Sequence, residues 1–172
     1  YDIGSEFDKE KQDYSIEVDN DVSRIKVEGE AEDSLSKVTG NGSYSLKTGS
    51  NEINITVEAE DKTKRVYTIT VYRKPSDNAY LLSLVTSAKN SYTPTFNKNT
   101  LVYNLNVLNS EKTITVLAVA EDKSAVVEGN GEYTLDVGKT EIEITVTAEN
   151  GDQKIYKISV NREKSSNCDL SM

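Results

Sequence analysis

Carboxylates are the reactive side chains that recur most regularly in this 172-residue sequence. They stand as acidic pairs in stretches of turn-forming residues: Glu32-Asp33, Glu60-Asp61, Glu121-Asp122 and, with an amide in second place, Glu149-Asn150. Oxygen atoms from such loops can bind Ca²⁺, which takes about six to eight of them. Residues 74–78, where two neighbouring domains would share such a site, supply only one Asp and one Asn. We therefore expect solvated turns that discourage edge-to-edge association, with no metal site and no cofactor.

The residues needed for most catalytic sites are scarce. The sequence has no histidine, the commonest general base and transition-metal ligand, so no Ser-His-Asp or Cys-His site can form within it. Cys168 is the single cysteine and has no partner for a disulfide or a cysteine-based metal site. Paired carboxylates can serve a glycosidase, but that reaction needs a substrate cleft, and the sequence has no tryptophan to help build one. We expect no enzymatic activity and no catalytic residue.

Charge and hydropathy exclude two further classes of partner. The sequence carries 20 basic and 29 acidic residues, a formal charge of -9, without a basic patch interleaved with aromatics. Such a surface repels phosphate, which argues against nucleic acid as a partner. No apolar run approaches the roughly 20 residues that span a membrane, so we expect no direct membrane insertion.

An internal repeat organises the sequence. Residues 7–73 align without a gap to residues 96–162, an offset of 89 positions. A repeat of this length is too long for one solenoid turn and long enough for a small domain. The matched motifs include Gly40-Asn41-Gly42 with Gly129-Asn130-Gly131, and the stretch from Tyr67 to Val71 with that from Tyr156 to Val160.

Both copies alternate apolar and polar residues with period two, the pattern of half-buried antiparallel strands. The predicted strands are residues 14–18, 25–27, 44–46, 53–57 and 67–71 in the first copy, and 103–107, 114–116, 133–135, 142–146 and 156–160 in the second. Glycine-containing turns separate them, and no apolar stripe of helical period is longer than a turn or two. The pattern predicts an all-β fold of two tandem antiparallel β-sandwiches.

The two copies differ at their beginnings. An additional strand, residues 80–86, precedes the second copy, whereas six residues precede the first. We expect residues 1–74 to form a repeat lacking its first strand, residues 75–164 a complete repeat, and residues 165–172 the start of a third repeat or a tail. An unpaired sheet edge recruits strands, so the first repeat is predicted to exchange strands with residues 168–172 or with residues 80–86 of another molecule.

Tyrosines divide into two groups. Three aligned pairs at strand positions are expected in the core with their hydroxyls at its rim: residues 14 and 103, 44 and 133, and 67 and 156. Tyr72, Tyr80 and Tyr92 have no aligned partner. They are candidate ligand contacts that could stack on sugar rings, or apolar contacts between neighbouring domains.

The spaced residues of the second copy resemble the cadherin-like β-sandwich domain of bacterial surface proteins. The matching positions are Leu81, Leu84, Pro94, Phe96, Tyr103, Val107, Gly138, Ile142, Ile144, Val146, Ala148-Glu149-Asn150-Gly151, Tyr156, Ile158, Val160 and Arg162, and the first copy repeats most of them from Phe7 to Arg73. Lys62 replaces the expected glycine, and Thr140 the expected asparagine.

The resemblance implies two tandem immunoglobulin-like β-sandwiches in an extracellular, cell-surface or secreted protein, commonly of Firmicutes, and it implies no reaction. The expected function is a non-catalytic structural or spacer module that presents or stiffens other domains, with neighbouring repeats of the same polypeptide as its partners. The alternative is an adhesion or carbohydrate-binding module that recognises a surface glycan or a host protein.

Overall fold

The structure is a computed structural model that describes residues 7–166. These residues form β-strands and no helix, and therefore no helix long and apolar enough to cross a membrane. The chain divides into two compact units, unit 1 (Tyr1–Pro75) and unit 2 (Ser76–Met172). The predicted all-β class with two tandem sandwiches is confirmed.

The described part of unit 1, residues 7–75, contains six strands in two sheets. They are β1 (Asp13–Val18), β2 (Arg24–Val27), β3 (Lys37–Thr39), β4 (Gly42–Ser45), β5 (Gly49–Glu58) and β6 (Lys64–Arg73). One sheet has the order β1-β6-β5-β3, and the other consists of β2 and β4.

Unit 2, described from residue 76 to residue 166, repeats this arrangement and has one strand more. Its strands are β7 (Leu81–Thr86), β8 (Val102–Val107), β9 (Thr113–Ala120), β10 (Val126–Glu128), β11 (Gly131–Thr134), β12 (Gly138–Thr147) and β13 (Gln153–Arg162). The larger sheet has the order β10-β12-β13-β8, and the smaller one the order β11-β9-β7. Strands β8 to β13 correspond to β1 to β6, and β7 is the additional strand.

Two features of the sheets differ from the sequence-based prediction. Strands β3 and β10 were not predicted; each has a single partly buried residue, Val38 or Val127, between two exposed ones, so neither shows a repeated apolar position. The first and last strands of the larger sheet in each unit, β1 with β6 and β8 with β13, pair parallel, whereas the other pairs are antiparallel. A long connection separates the two strands of each parallel pair, which is what parallel pairing requires.

The inward residues of each unit form its core. Tyr103 and Tyr156 are completely buried, and their hydroxyls donate hydrogen bonds to the carbonyls of Asn97 and Lys98 at 2.8 and 2.7 Å. In unit 1, Tyr14 and Tyr67 make the corresponding bonds to Asp8 and Lys9 at 2.7 and 2.9 Å. These aligned tyrosines therefore pack in the core with the hydroxyl at its rim, as the repeat predicts.

Candidate functional site

Unit 1 has an open sheet edge along β2. In unit 2, β9 pairs with β11 through its first half and with β7 through its second half. In unit 1, β2 pairs with β4 alone within the described residues 7–166. Residues 28–31, which correspond to the second half of β9, are not part of a ladder there. We call residues 26–30 the open edge.

The backbone direction of the open edge follows from Asn41. Its Oδ1 accepts a hydrogen bond from the Gly29 amide, and its Nδ2 donates to the Gly29 carbonyl, both at 2.9 Å. Successive residues of a strand direct their backbone groups to opposite sides. The N–H and C=O groups of Lys26, Glu28 and Glu30 therefore point away from Asn41 and β4, towards the side that β7 occupies in unit 2.

An apolar cavity lies beside the open edge. We call it the Tyr14 cavity; it measures about 80 Å³ and is lined by Phe7, Tyr14, Gly29, Glu30, Val38, Ile55, Val57, Tyr67 and Ile69. This volume is several times the 10–15 Å³, roughly, that one water molecule needs. At the corresponding place in unit 2, Leu81 and Leu84 of β7 are buried in the core cluster.

The predicted ligand contacts Tyr72, Tyr80 and Tyr92 occupy three different environments. Tyr72 lies on β6 of unit 1 with 44% of its surface exposed. Tyr92 packs against the core of unit 2, edge-on to Tyr103 at a centroid distance of 5.1 Å, and its hydroxyl donates to the carbonyl of Leu84. Tyr80 is half-buried directly before β7. That these three residues contact a ligand stays a prediction.

Tyr80 lies in an open groove of unit 2 of about 610 Å³. The Nζ atoms of Lys154 and Lys98 lie 4.4 and 5.4 Å from the centroid of its ring. Lys98 also bonds Glu121 at 2.8 Å, which raises the pKa of the lysine and, in return, lowers the pKa of the carboxyl. A sugar stacking on Tyr80 would have to displace a lysine that already interacts with the ring.

The acidic pairs cap their own turns. In each pair the second residue accepts a hydrogen bond from the backbone amide two positions later: Asp33 from Leu35, Asp61 from Thr63, Asp122 from Ser124 and Asn150 from Asp152, at 2.8 to 2.9 Å. Side-chain oxygens used in this way mimic a backbone turn. No group of three or more acidic or cysteine side chains suitable for a metal ion occurs within residues 7–166.

One exposed surface was missed in the sequence interpretation. The outer side of the β7–β9 pair carries Leu82, Val85, Leu117 and Val119, which are 62, 56, 58 and 54% exposed. We call these four residues the outer apolar face. The uninterrupted apolar run at residues 116–120 could have indicated it, because a strand apolar on both sides is usually covered on both sides. In unit 1, Glu28 and Glu30 replace Leu117 and Val119.

The repeat and its two sandwiches agree with the comparison with known protein families. The family model described as "Cadherin-like beta sandwich domain" matches residues 1–74 and 81–163. The chain belongs to the cadherin-like β-sandwich family. This confirms the resemblance to the cadherin-like β-sandwich domain, and such domains are commonly adhesion or structural modules. No curated protein matches the sequence.

The similar solved structures include cadherin fragments. Drosophila N-cadherin EC1-3 is 10% identical, with 88% of this chain and 64% of that chain covered and a TM-score of 0.47. Mouse clustered PcdhgC3 EC1-3 is 13% identical, with coverages of 90% and 66% and a TM-score of 0.34. Clostridium thermocellum CbhA fibronectin(III)-like modules are 12% identical, with coverages of 96% and 98% and a TM-score of 0.24. The chain spans just under two thirds of the two cadherin fragments, and its family membership rests on the family model.

Proposed function

We propose that the chain is a non-catalytic structural module of a bacterial cell-surface protein, exposed outside the cell, that spaces and stiffens the domains beside it. Neighbouring repeats of the same polypeptide are its partners in this function. The observation that supports the proposal is the position of the last strand of each unit. Strand β13 lies inside its sheet, paired over its ten residues with β12 and over six of them with β8.

This position determines how each unit responds to tension. A chain pulled at the end of β13 must shear two hydrogen-bonded ladders together instead of unzipping one edge. Strand β6 holds the same place in unit 1, between β5 and β1. Each unit ends on such a strand, which suits a module that keeps its length under load.

Force spectroscopy on the full chain tests the mechanical part of the proposal. We expect two separate unfolding events, with unit 2 resisting the higher force because β7 completes its smaller sheet. Extension without a force peak would contradict the spacer function. Antibodies against the chain should label intact, unpermeabilised cells of its source, and labelling only after permeabilisation would contradict the extracellular setting.

The outer apolar face supports a second candidate function, adhesion to a host protein or a surface glycan. Exposed apolar patches of this kind often mark protein contacts. The test is a screen of the full chain against host-protein and glycan arrays, repeated with Leu117→Glu/Val119→Glu, which introduces the residues that unit 1 has at these positions. Binding lost in this double variant would locate the contact on the outer apolar face.

A matched set of tyrosine variants separates the two kinds of ligand. Binding lost in Tyr72→Ala, Tyr80→Ala or Tyr92→Ala, and retained in the double variant, would locate the contact at the tyrosines and favour a glycan. The absence of any saturable ligand would contradict adhesion and would be compatible with the spacer function.

A further inference from the structure

We propose that Asn150-Gly151 is a site of spontaneous covalent modification, at which the side chain of Asn150 loses ammonia and becomes aspartate or isoaspartate. The sequence Asn-Gly occurs three times, at residues 41–42, 130–131 and 150–151. Glycine as the second residue favours this reaction, because it has no side chain that crowds its own backbone nitrogen. The fold restrains two of the three pairs and leaves the third free to react, independently of the spacer function.

The reaction needs only the chain and water. The Gly151 backbone nitrogen, once its proton has passed to hydroxide, attacks Cγ of Asn150. The N–Cγ bond forms, the Cγ–Nδ2 bond breaks, and Nδ2 leaves as ammonia with a proton from water, so that a succinimide ring remains. Water then opens this ring: attack at Cγ gives aspartate, and attack at the backbone carbonyl carbon gives isoaspartate, whose main chain runs through Cγ. One water molecule is consumed, one ammonia is released, and nothing is oxidised or reduced.

The side chains of Asn41 and Asn130 are held by backbone groups from distant parts of the sequence. Asn41 exchanges two hydrogen bonds with Gly29, both at 2.9 Å, and Asn130 exchanges two with Ala118, at 2.7 and 3.0 Å. Ring closure turns Cγ towards the nitrogen of the next residue, and the side chain must leave both hydrogen bonds to do so. At these two positions the reaction therefore has to break contacts that hold the fold together.

The glycines that follow these two asparagines are held as well. Gly42 begins β4 and pairs with Val27, and Gly131 begins β11 and pairs with Val116. Gly29 directs its backbone groups towards β4, so Val27, two residues earlier, does the same. The Gly42 nitrogen is thus part of the ladder, and the Gly131 nitrogen is placed in the same way. Neither nitrogen can attack unless the end of a sheet opens.

Asn150 lies instead at the tip of the hairpin between β12 and β13, where residues 149–153 are all exposed. Its Oδ1 accepts a hydrogen bond from the Asp152 amide at 2.9 Å, and its Nδ2 donates to Oδ2 of Asp152 at 2.8 Å. The Gly151 amide donates to the carbonyl of Ala148 at 3.0 Å. These bonds lie within one turn, and an exposed turn opens at little cost without unfolding the core. This pair therefore reaches the reactive geometry more often than the other two.

The corresponding turn of unit 1 shows that the aspartate product can be accommodated. Asp61 stands there at the position of Asn150. It accepts a hydrogen bond from the Thr63 amide at 2.9 Å, the same contact that Asn150 makes with the amide of Asp152. Asp61 has no amide nitrogen to lose, so the turn of unit 1 serves as an internal control.

The modification would act on the start of unit 2. The Asn150 amide donates to the carbonyl of Ser76 at 2.9 Å, and Oε2 of Glu149 accepts from the Ser76 amide at 3.0 Å. A carboxylate in place of Nδ2 would face the carboxylate of Asp152, where unit 1 has the uncharged Thr63, and like charges repel each other. Isoaspartate lengthens the main chain of the turn by a methylene group. Either product should therefore weaken the hydrogen bonds that fix Ser76 to the hairpin.

Peptide mapping of the folded full chain tests the proposal. The chain is kept in a mildly alkaline buffer, in water labelled with a heavy oxygen isotope, and samples are digested and analysed by mass spectrometry. We expect Asn150 to be converted at least about ten-fold faster than Asn41 or Asn130, since a ten-fold ratio requires only a small difference in opening free energy. The product should carry a labelled oxygen. No conversion of Asn150, or equal rates at the three sites, would overturn the proposal.

The unfolded chain shows whether the fold causes the difference. In concentrated guanidinium chloride the three asparagines are all followed by glycine and have lost their native hydrogen bonds, so their rates should agree within about three-fold. A preference for Asn150 of the same size in the unfolded chain would show that the local sequence sets the rate. That result would overturn the assignment to the hairpin.

Two variants test the requirement for this pair in this turn. Asp61→Asn/Lys62→Gly gives unit 1 the same pair at the corresponding turn, and residue 61 should then be converted at a rate within about three-fold of that of Asn150. Asn150→Gln keeps a side-chain amide but needs a larger ring, so conversion at position 150 should fall by at least about ten-fold. An unreactive position 61 in the first variant, or an unchanged rate in the second, would contradict the proposal.

Hydrogen exchange measures the effect on Ser76. The fresh chain is compared with the aged chain and with Asn150→Asp, which reproduces one product directly. The amides of Ser76 and of residue 150 should exchange at least about five-fold faster in the modified chains, whereas those of Ile142 and Ile144 in β12 should not change. Unchanged exchange at Ser76 in both modified chains would contradict the release of the start of unit 2.

Discussion

Asn130 is hydrogen-bonded in both directions to the backbone of Ala118. The Ala118 amide donates to Oδ1 at 2.7 Å, and Nδ2 donates to the Ala118 carbonyl at 3.0 Å. The side-chain amide thus acts as one more peptide group that continues the β9–β11 ladder. Gly129 makes the approach possible, because its φ is 95° and a Cβ there would lie 2.3 Å from the carbonyl oxygen of Glu143. Asn41 and Gly29 form the same pair in unit 1.

Asn130→Ala should destabilise unit 2 by about 2 kcal/mol, because the substitution leaves the part-buried N–H and C=O of Ala118 without their partner. Asn41→Ala should cost less, about 1 kcal/mol, since the bonds to Gly29 are exposed and water can replace them. Urea unfolding, followed by hydrogen exchange at amides assigned to each unit, measures both. Asn130→Asp keeps the acceptor and loses the donor, so it should fall between wild type and Ala. Equal stability of all three proteins would contradict the structural role of Asn130.

Arg162→Lys should also destabilise unit 2 by about 2 kcal/mol. The guanidinium joins two loops: Nε and Nη2 donate to the Asn109 carbonyl at 3.0 and 2.7 Å, and Nη1 donates to the Leu135 carbonyl at 3.0 Å. A lysine has one nitrogen and cannot reproduce this fork. Thermal unfolding measures the effect, with exposed Lys164→Ala as the control. A loss of stability no larger than that of the control would show that the hydrogen bonds of the Arg162 guanidinium do not stabilise unit 2.

Lys62→Gly should stabilise unit 1 by about 1 kcal/mol. Lys62 has a φ of 73°, in the left-handed region that costs glycine little and other residues about 1 kcal/mol, whereas its counterpart Gly151 has a φ of 94°. The change also removes an ion pair to Glu58, but the Lys62 side chain is 79% exposed and Glu58 keeps its ion pair with Lys64, so the loss should be small. The reciprocal Gly151→Lys should destabilise unit 2 by a similar amount. Unfolding of both variants tests this, and changes of the same sign would exclude backbone strain as the cause.

Acid should destabilise unit 2 in part through Asp122. The Ser76 hydroxyl, and next the Ser124 amide, hold the pKa of this carboxyl below its usual value. A carboxyl with a lowered pKa in the folded state stabilises the protein above its unfolded pKa of about 3.9, and this contribution is lost as the pH falls through the lowered value. Unfolding of wild type and Asp122→Asn between about pH 6 and 2 should show a smaller loss on acidification in the variant. Parallel curves would contradict the assignment.

The sequence was sufficient for the features that local pattern encodes. Alternation at Ile142, Ile144 and Val146 predicted a long half-buried strand, and all three are inward residues of β12 with at most 1% exposure. The spacing of apolar and turn-forming residues also led to the correct family. The 89-residue offset predicted that Tyr14 and Tyr103 play the same part, since a repeated sequence folds into a repeated unit.

Pairing between distant strands depended on the tertiary structure. Alternation indicates which side of a strand is buried but not which strand lies beside it, so neither the parallel pairing of β8 with β13 nor the short strand β10 could be predicted. The Gly-Asn-Gly motif was predicted to be a turn, and only the fold brings Asn130 to the backbone of Ala118.

The candidate sites show the same division. The sequence alone showed that the repeat aligns from Phe7 and Phe96 onward, with a predicted strand at residues 80–86 before the second copy, and it identified the tyrosines as possible contacts. The Tyr14 cavity, the outward direction of Glu28 and Glu30, and the outer apolar face depended on the three-dimensional arrangement. The physical reason is that a cavity or an open edge depends on which distant residues come together on folding. The alternation of apolar and polar residues in a strand, in contrast, can be read from consecutive residues.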